Sequence, residues 1–135
     1  MIAADTSVVV PAALPWHESH ARARSALDRA RPRLLGPVAI ETYSVLTRLP
    51  PPLRVPGRLA QDYLAQTFEE PILVLSPIGY RGLVETAAGE GILGGAIYDR
   101  LVAATAREAG ATLLTRDRRA AAVYQLLGAD YRLIV

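Results

Sequence analysis

The first ten residues, Met1–Val10, read MIAADTSVVV, and an aspartate interrupts this apolar run at position 5. A second stretch, Ala111–Ala120, reads ATLLTRDRRA and is interrupted in the same way by Asp117. Short apolar runs bounded by polar residues are typical of buried strands. We therefore predict one strand over residues 2–4 and another over residues 112–115, each followed by a carboxylate.

Helical and extended patterns alternate along the rest of the chain. Further short strands are expected at Leu34–Leu35, Ile72–Leu75 and Tyr131–Ile134. The predicted helices cover residues 8–14, 18–30, a segment that begins at 36, and 59–68, 77–90, 96–109 and 117–127. This alternation predicts an α/β fold, a three-layer sandwich with a short, mostly parallel central sheet of about five strands and six to seven helices.

Individual residues mark the boundaries of several elements. The hydroxyls of Thr6 and Ser7 are expected to cap the first helix, and Ser76 is expected to cap the fifth. The prolines of PPPLRVP, residues 50–56, predict a loop, because proline fixes φ and lacks a backbone donor. The third helix is expected to turn Ile40, Val45 and Leu46 toward the core.

Length and composition limit the possible functions. A chain of 135 residues with 51% hydrophobic residues and a mean hydropathy of +0.21 predicts one folded domain. Cysteine is absent and all fifteen basic residues are arginine, which excludes disulfides, thiolate chemistry, Schiff bases and a Walker A lysine. No apolar run is long enough to cross a membrane, so we expect a cytoplasmic protein with no membrane partner.

Four acidic residues are expected to meet at one edge of the sheet. Asp5 and Asp117 directly follow strands, Glu41 lies early in the third helix, and Asp99 follows the glycine-rich GILGG segment. Two like charges 4 Å apart repel by about 4 kcal/mol at an effective dielectric constant near 20. A divalent cation would relieve that repulsion, and oxygen ligands favour Mg²⁺ or Mn²⁺, which activate water for phosphodiester hydrolysis.

Other interpretations of the same acids remain open. Asp5 and Asp117 can act as helix caps, Glu41 can complement a helix dipole, and Asp99 can pair with a nearby arginine. A non-catalytic binding module would need no more than these roles. An aspartyl phosphotransfer protein would use Asp5 as its acceptor, but such proteins rely on a lysine that this chain lacks.

The motifs DTS, a lone mid-chain Glu, YDRLVAATA and LLTRD, in that order, resemble the PIN-domain family. Within it, the chain is most similar to VapC-type toxins, over nearly all 135 residues including the tail LLGADYRLIV. The resemblance implies a single PIN-like domain over 1–135 and a ribonuclease that uses Mg²⁺, with Mn²⁺ as a substitute. It implies catalytic and metal-binding roles for Asp5, Glu41, Asp99 and Asp117.

The resemblance also implies supporting residues and partners. Thr6 or Ser7, together with Thr115, match the hydroxyl positions that support the acids in this family. Structured cellular RNA is the implied substrate, a cognate antitoxin the inhibitor, and a homodimer the expected assembly. One departure is a set of arginines around Asp117, which can contact RNA phosphates, an antitoxin carboxylate or, as often, only water: Arg116, Arg118 and Arg119.

Overall fold

The computed structural model of the chain describes residues 1–134 and confirms the predicted α/β class. Its strands are β1 (Ile2–Ala4), β2 (Thr112–Thr115) and β3 (Tyr131–Leu133). Its α-helices are α1 (Thr6–Ala13), α2 (His20–Ala30), α3 (Gly36–Thr47), α4 (Gly57–Thr67), α5 (Pro77–Glu90), α6 (Ile97–Ala109) and α7 (Arg118–Leu126). Val135, the last residue of the predicted domain and tail motif, lies outside this range. None of the described helices is long and apolar enough to span a membrane.

The sheet is parallel, and in the described residues it has three regular strands rather than the predicted five or so. β2 lies between β1 and β3, with Leu113 opposite both Ala3 and Tyr131. The strands predicted at Leu34–Leu35 and Ile72–Leu75 are wrong as regular strands, because a single isolated parallel bridge, between Leu35 and Leu73, joins the two segments instead. Pro32 precedes the first segment and α3 begins at Gly36 directly after it. The residues between them are too few to form more than one bridge to each neighbouring segment.

The two bridged segments still extend the sheet in a defined order. Arg33 pairs with Ala3 of β1, and Leu73 pairs with Leu35 on the far side. After β1, the chain therefore adds the Arg33 segment and then the Leu73 segment on one side of β1. It then returns to form β2 on the opposite side of β1. Because parallel crossovers are right-handed, α1–α4 lie on one face of the sheet and α5–α7 on the other. The carboxyl ends of β1 and β2 meet where the two directions diverge, which is the usual ligand position in such folds.

The core consists of small and branched apolar side chains. Val8, Val9 and Leu113 are fully buried, and full burial of such side chains contributes about 1.5–3 kcal/mol each. The prediction that Ile40 points inward is wrong, since 74% of it is exposed. The buried stripe of α3 instead follows a spacing of four residues, through Val38, Thr42 and Leu46.

Candidate active site

Asp5 follows β1 and is buried at the start of α1, with 4% of its surface exposed. Its Oδ1 accepts hydrogen bonds from the backbone N of Ser7 at 3.0 Å and from Ser7 Oγ at 2.5 Å. Asp5 itself therefore caps α1, and the prediction that the hydroxyls of Thr6 and Ser7 are the cap is wrong. Burial raises the pKa of Asp5, while hydrogen bonds from Ser7 and two other hydroxyls partly offset that rise.

Asp117 follows β2 and caps α7. Its Oδ1 accepts from the backbone N of Arg119 at 2.9 Å and of Ala120 at 3.2 Å. Its own backbone N donates to Thr115 Oγ1 at 3.1 Å, and Thr115 Oγ1 lies 3.3 Å from Ser7 Oγ. Two hydroxyls therefore connect the aspartate after β1 with the aspartate after β2.

Glu41 and Asp99 line an open cleft between α3 and α6. Glu41 lies in the second turn of α3, and Asp99 lies in the first turn of α6, directly after a short 3₁₀ turn at Gly94–Ala96. Burial and the negative charges of Asp99 and Asp5 raise the pKa of Glu41, whereas the hydroxyl of Thr6 lowers it. Burial and the charge of Asp117 raise the pKa of Asp99.

These pKa shifts describe the arrangement of the acidic cluster, which is defined here as Asp5, Glu41, Asp99 and Asp117. The charges of Asp5 and Asp99 act on Glu41, and the charge of Asp117 acts on Asp99, so each of the four carboxylates lies within electrostatic range of at least one other. Within residues 1–134, however, no three acidic or histidine side chains lie close enough together to hold a metal ion. The carboxylates of the cluster therefore repel their neighbours but are not arranged as a complete set of metal ligands.

Asp99 does not form the ion pairs that the sequence left open. Arg100 is buried and pairs with Glu90 of α5, at 2.7 Å between Nη1 and Oε2. Arg107 donates from Nη1 to the carbonyl oxygen of Leu127 at 3.3 Å. The carboxylate of Asp99 thus faces the cleft without either of these guanidinium partners.

The arginines around Asp117 have different environments. Arg116 reaches back into the protein and donates to the carbonyl oxygen of Ser7 at 3.0 Å and to Ser19 Oγ at 2.6 Å. Through these hydrogen bonds, its side chain connects the loop after β2 with α1 and with the loop before α2. Arg118 and Arg119 are exposed, and the charge of Arg119 lowers the pKa of Asp99, so Arg119 lies on the cluster side of α7.

Tyr124 of α7 is a site residue that the sequence reasoning missed. It is 1% exposed, and its Oη donates to Asp5 Oδ2 at 2.8 Å. Burial and the negative charge of Asp5 raise the pKa of Tyr124, so the phenol keeps the proton that it donates. The sequence does place this tyrosine on the same face of the helix as Ala120 and Ala121. A buried tyrosine hydroxyl usually needs a hydrogen-bond partner, and that requirement could have indicated a polar contact at this position.

The model of the family described as the PIN domain matches residues 2–126, a range that contains the whole acidic cluster. The chain belongs to the PIN-domain family. It is 47% identical to Ribonuclease VapC40 of Mycobacterium tuberculosis (strain CDC 1551 / Oshkosh) over 134 residues, 99% of each chain. It is 41% identical to Ribonuclease VapC27 of Mycobacterium tuberculosis (strain ATCC 25618 / H37Rv) over 127 residues, 94% of this chain and 92% of that protein. The resemblance to VapC-type members is confirmed.

Solved structures of PIN-fold proteins support the fold. The crystal structure of FitAcB from Neisseria gonorrhoeae matches 97% of this chain and 96% of that chain, with a TM-score of 0.68 and 20% identity. The structure of FitAB bound to an IR36 DNA fragment matches 98% of this chain and 94% of that chain, with a TM-score of 0.72 and 18% identity. At these identities the likeness concerns the fold alone.

Proposed function

We propose that the chain is a divalent-metal-dependent endoribonuclease, a VapC-type toxin whose site is the acidic cluster. The observation that carries this proposal is that carboxylates from four separate segments lie within electrostatic range at one edge of the sheet. The ribonuclease names of VapC40 and VapC27 support RNA as the substrate. Action on cellular RNA places the protein in the cytoplasm.

The chemistry of the donor set fits Mg²⁺ or Mn²⁺, because carboxylate oxygens are the ligands these hard cations prefer. Asp5, Glu41, Asp99 and Asp117 would hold the ion. The raised pKa values of Glu41 and Asp99 reflect a repulsion that a cation would relieve. When bound, such an ion supplies a polarised phosphate oxygen and a water of lowered pKa.

The surrounding side chains orient the acids and the RNA. Ser7 and Thr115 hold the buried carboxylate of Asp5 by hydrogen bonds. Arg48 lines the cleft beside Glu41, and Arg119 faces Asp99 from α7. Guanidinium groups recognise phosphates with good geometry, so these two arginines are suited to the RNA backbone on either side of the cleft.

A groove between α3 and α4 provides a binding surface for the antitoxin. Apolar side chains line it, including Ile40, Tyr43, Leu64 and Phe68. Ile40 also lines the acidic cleft, so the groove and the cleft are adjacent. An antitoxin segment that fills the groove with apolar side chains would extend over the acids and exclude RNA.

The exposed apolar side chains of α5 support a homodimer. Ile78 is 84% exposed and Val84 is 62% exposed, and Val74 before the helix is 67% exposed. Exposed apolar side chains suit a protein interface when they form one continuous patch. A second copy of the chain is the partner we propose for this face.

The test is RNA cleavage by the purified chain, freed from antitoxin, with Mg²⁺ or Mn²⁺ and then with EDTA. Asp99→Asn removes one ligand charge, and the matched control is Asp62→Asn, which changes an exposed aspartate of α4. We expect cleavage to be lost in EDTA and in Asp99→Asn, and to be unchanged in Asp62→Asn. Cleavage that survives both EDTA and Asp99→Asn would refute the proposed mechanism.

A further inference from the structure

Tyr124 makes a polar contact inside an otherwise apolar helix face. The buried residues beside it on α7 are Ala120 and Ala121, which carry no polar side-chain atom. Phenylalanine would fill the same volume as Tyr124, so packing alone does not require a hydroxyl. In this structure the hydroxyl donates to Asp5 Oδ2 at 2.8 Å, across 119 residues of sequence.

The two carboxylate oxygens of Asp5 accept hydrogen bonds from different residues. A carboxylate oxygen has two lone-pair directions. Oδ1 accepts from both the backbone N and the Oγ of Ser7, at 3.0 and 2.5 Å, so both directions are in use. Oδ2 accepts from Tyr124 Oη, so hydrogen bonds hold both oxygens of the carboxylate.

We infer that Tyr124 is a positioning residue that, together with Ser7, fixes the orientation in which the Asp5 carboxylate would bind a divalent cation. The inference rests on the proposed function, since it specifies how one carboxylate of that site is oriented. Ser7 fixes one end of the carboxylate and Tyr124 the other, which prevents rotation about the Cβ–Cγ bond. Groups that orient a metal ligand in this way typically change metal affinity 10- to 100-fold when removed.

The fold offers a matched control for this role. Tyr63 of α4 also has a largely buried hydroxyl, which donates to the backbone oxygen of Val9 at 2.6 Å. That hydrogen bond does not involve the acidic cluster. Tyr124→Phe and Tyr63→Phe therefore delete the same atom from the same residue type, and only the first deletion frees Asp5.

The experiment is a calorimetric titration of each purified variant with Mn²⁺ in the absence of RNA, accompanied by RNA cleavage kinetics. We expect Tyr124→Phe to weaken Mn²⁺ binding by about 10-fold or more, with a lower kcat and a little-changed KM. Tyr63→Phe should bind Mn²⁺ as the wild type does, even if its melting temperature falls. Raising the Mn²⁺ concentration should restore much of the activity of Tyr124→Phe.

The outcomes separate this inference from the proposed function. If the wild type binds Mn²⁺ and Tyr124→Phe binds it with equal affinity, the inference is wrong and the proposed function stands. Equal losses of Mn²⁺ affinity in Tyr124→Phe and Tyr63→Phe would show a general structural effect and would also overturn it. If the wild type itself binds no Mn²⁺, the proposed function fails first.

Discussion

Replacement of Ser7 by alanine removes the hydroxyl that joins the two acid-bearing loops. Ser7 Oγ donates to Asp5 Oδ1 at 2.5 Å, accepts from the backbone N of Arg116 at 2.7 Å, and lies 3.3 Å from Thr115 Oγ1. Ser7 Oγ therefore bonds both loops through a single side-chain atom. We therefore expect Ser7→Ala to lower the free energy of unfolding and to make the side chain of Asp5 more mobile.

The hydrogen bonds set the size of this effect. A hydrogen bond to a charged group contributes about 1.5–3 kcal/mol, and a donor left without a partner inside the protein costs about 1–3 kcal/mol. The site is partly buried, so water compensates some of the loss at Arg116, and we expect a total of about 2–4 kcal/mol. For a chain of this length that corresponds to a fall in melting temperature of about 6–16 °C.

The assay is thermal unfolding followed by circular dichroism, in EDTA to exclude metal binding. Ser44→Ala is the matched control, because it makes the same substitution in a helix. Ser44 Oγ accepts an exposed hydrogen bond from Arg48 Nη1 at 3.0 Å, and its loss should change stability by less than about 0.5 kcal/mol. Equal melting temperatures for the two variants would refute this account of Ser7.

Three further predictions address charge, RNA and assembly. Burial raises the pKa of Asp5, Glu41 and Asp99, so at these carboxyl groups the folded state binds more protons than the unfolded state does. In EDTA, the free energy of unfolding should therefore fall as pH rises above the ordinary carboxyl pKa values of 3.8 for aspartate and 4.5 for glutamate. Denaturant titrations across pH should show a shallower fall for Glu41→Gln combined with Asp99→Asn, and an unchanged fall would contradict the assignment. Arg119→Ala, made in an inactive Asp99→Asn background, should reduce the slope of log RNA affinity against log salt by about 0.7, and an identical slope would exclude a phosphate contact. Ile78→Asp should yield folded monomers in analytical ultracentrifugation, with the circular dichroism spectrum of the wild type, whereas a monomeric wild type would remove the proposed interface.

Local patterns in the sequence predict the parts of the fold that depend on neighbours along the chain. Apolar runs ending in aspartate identify β1 and β2, and the hydroxyl of Ser76 caps α5 as predicted. The cap of α1 was misassigned because Asp5, Thr6 and Ser7 are all good capping residues, and their order alone does not decide among them.

Contacts between distant segments account for what the sequence could not predict. Tyr124 meets Asp5 across 119 residues and Arg116 meets Ser19 across 97 residues, and no periodic pattern records such pairs. The single bridges at Arg33 and Leu73 likewise depend on the position of neighbouring segments rather than on strand propensity.

The central claim is that the acidic cluster shares one divalent cation, and anomalous diffraction from crystals grown with Mn²⁺ tests it most directly. The account predicts an anomalous peak among Asp5, Glu41, Asp99 and Asp117. The same crystals of Asp99→Asn should lose the peak or show it weakened. A wild-type structure at saturating Mn²⁺ with no peak at the cluster, or with the ion bound elsewhere, would contradict the claim.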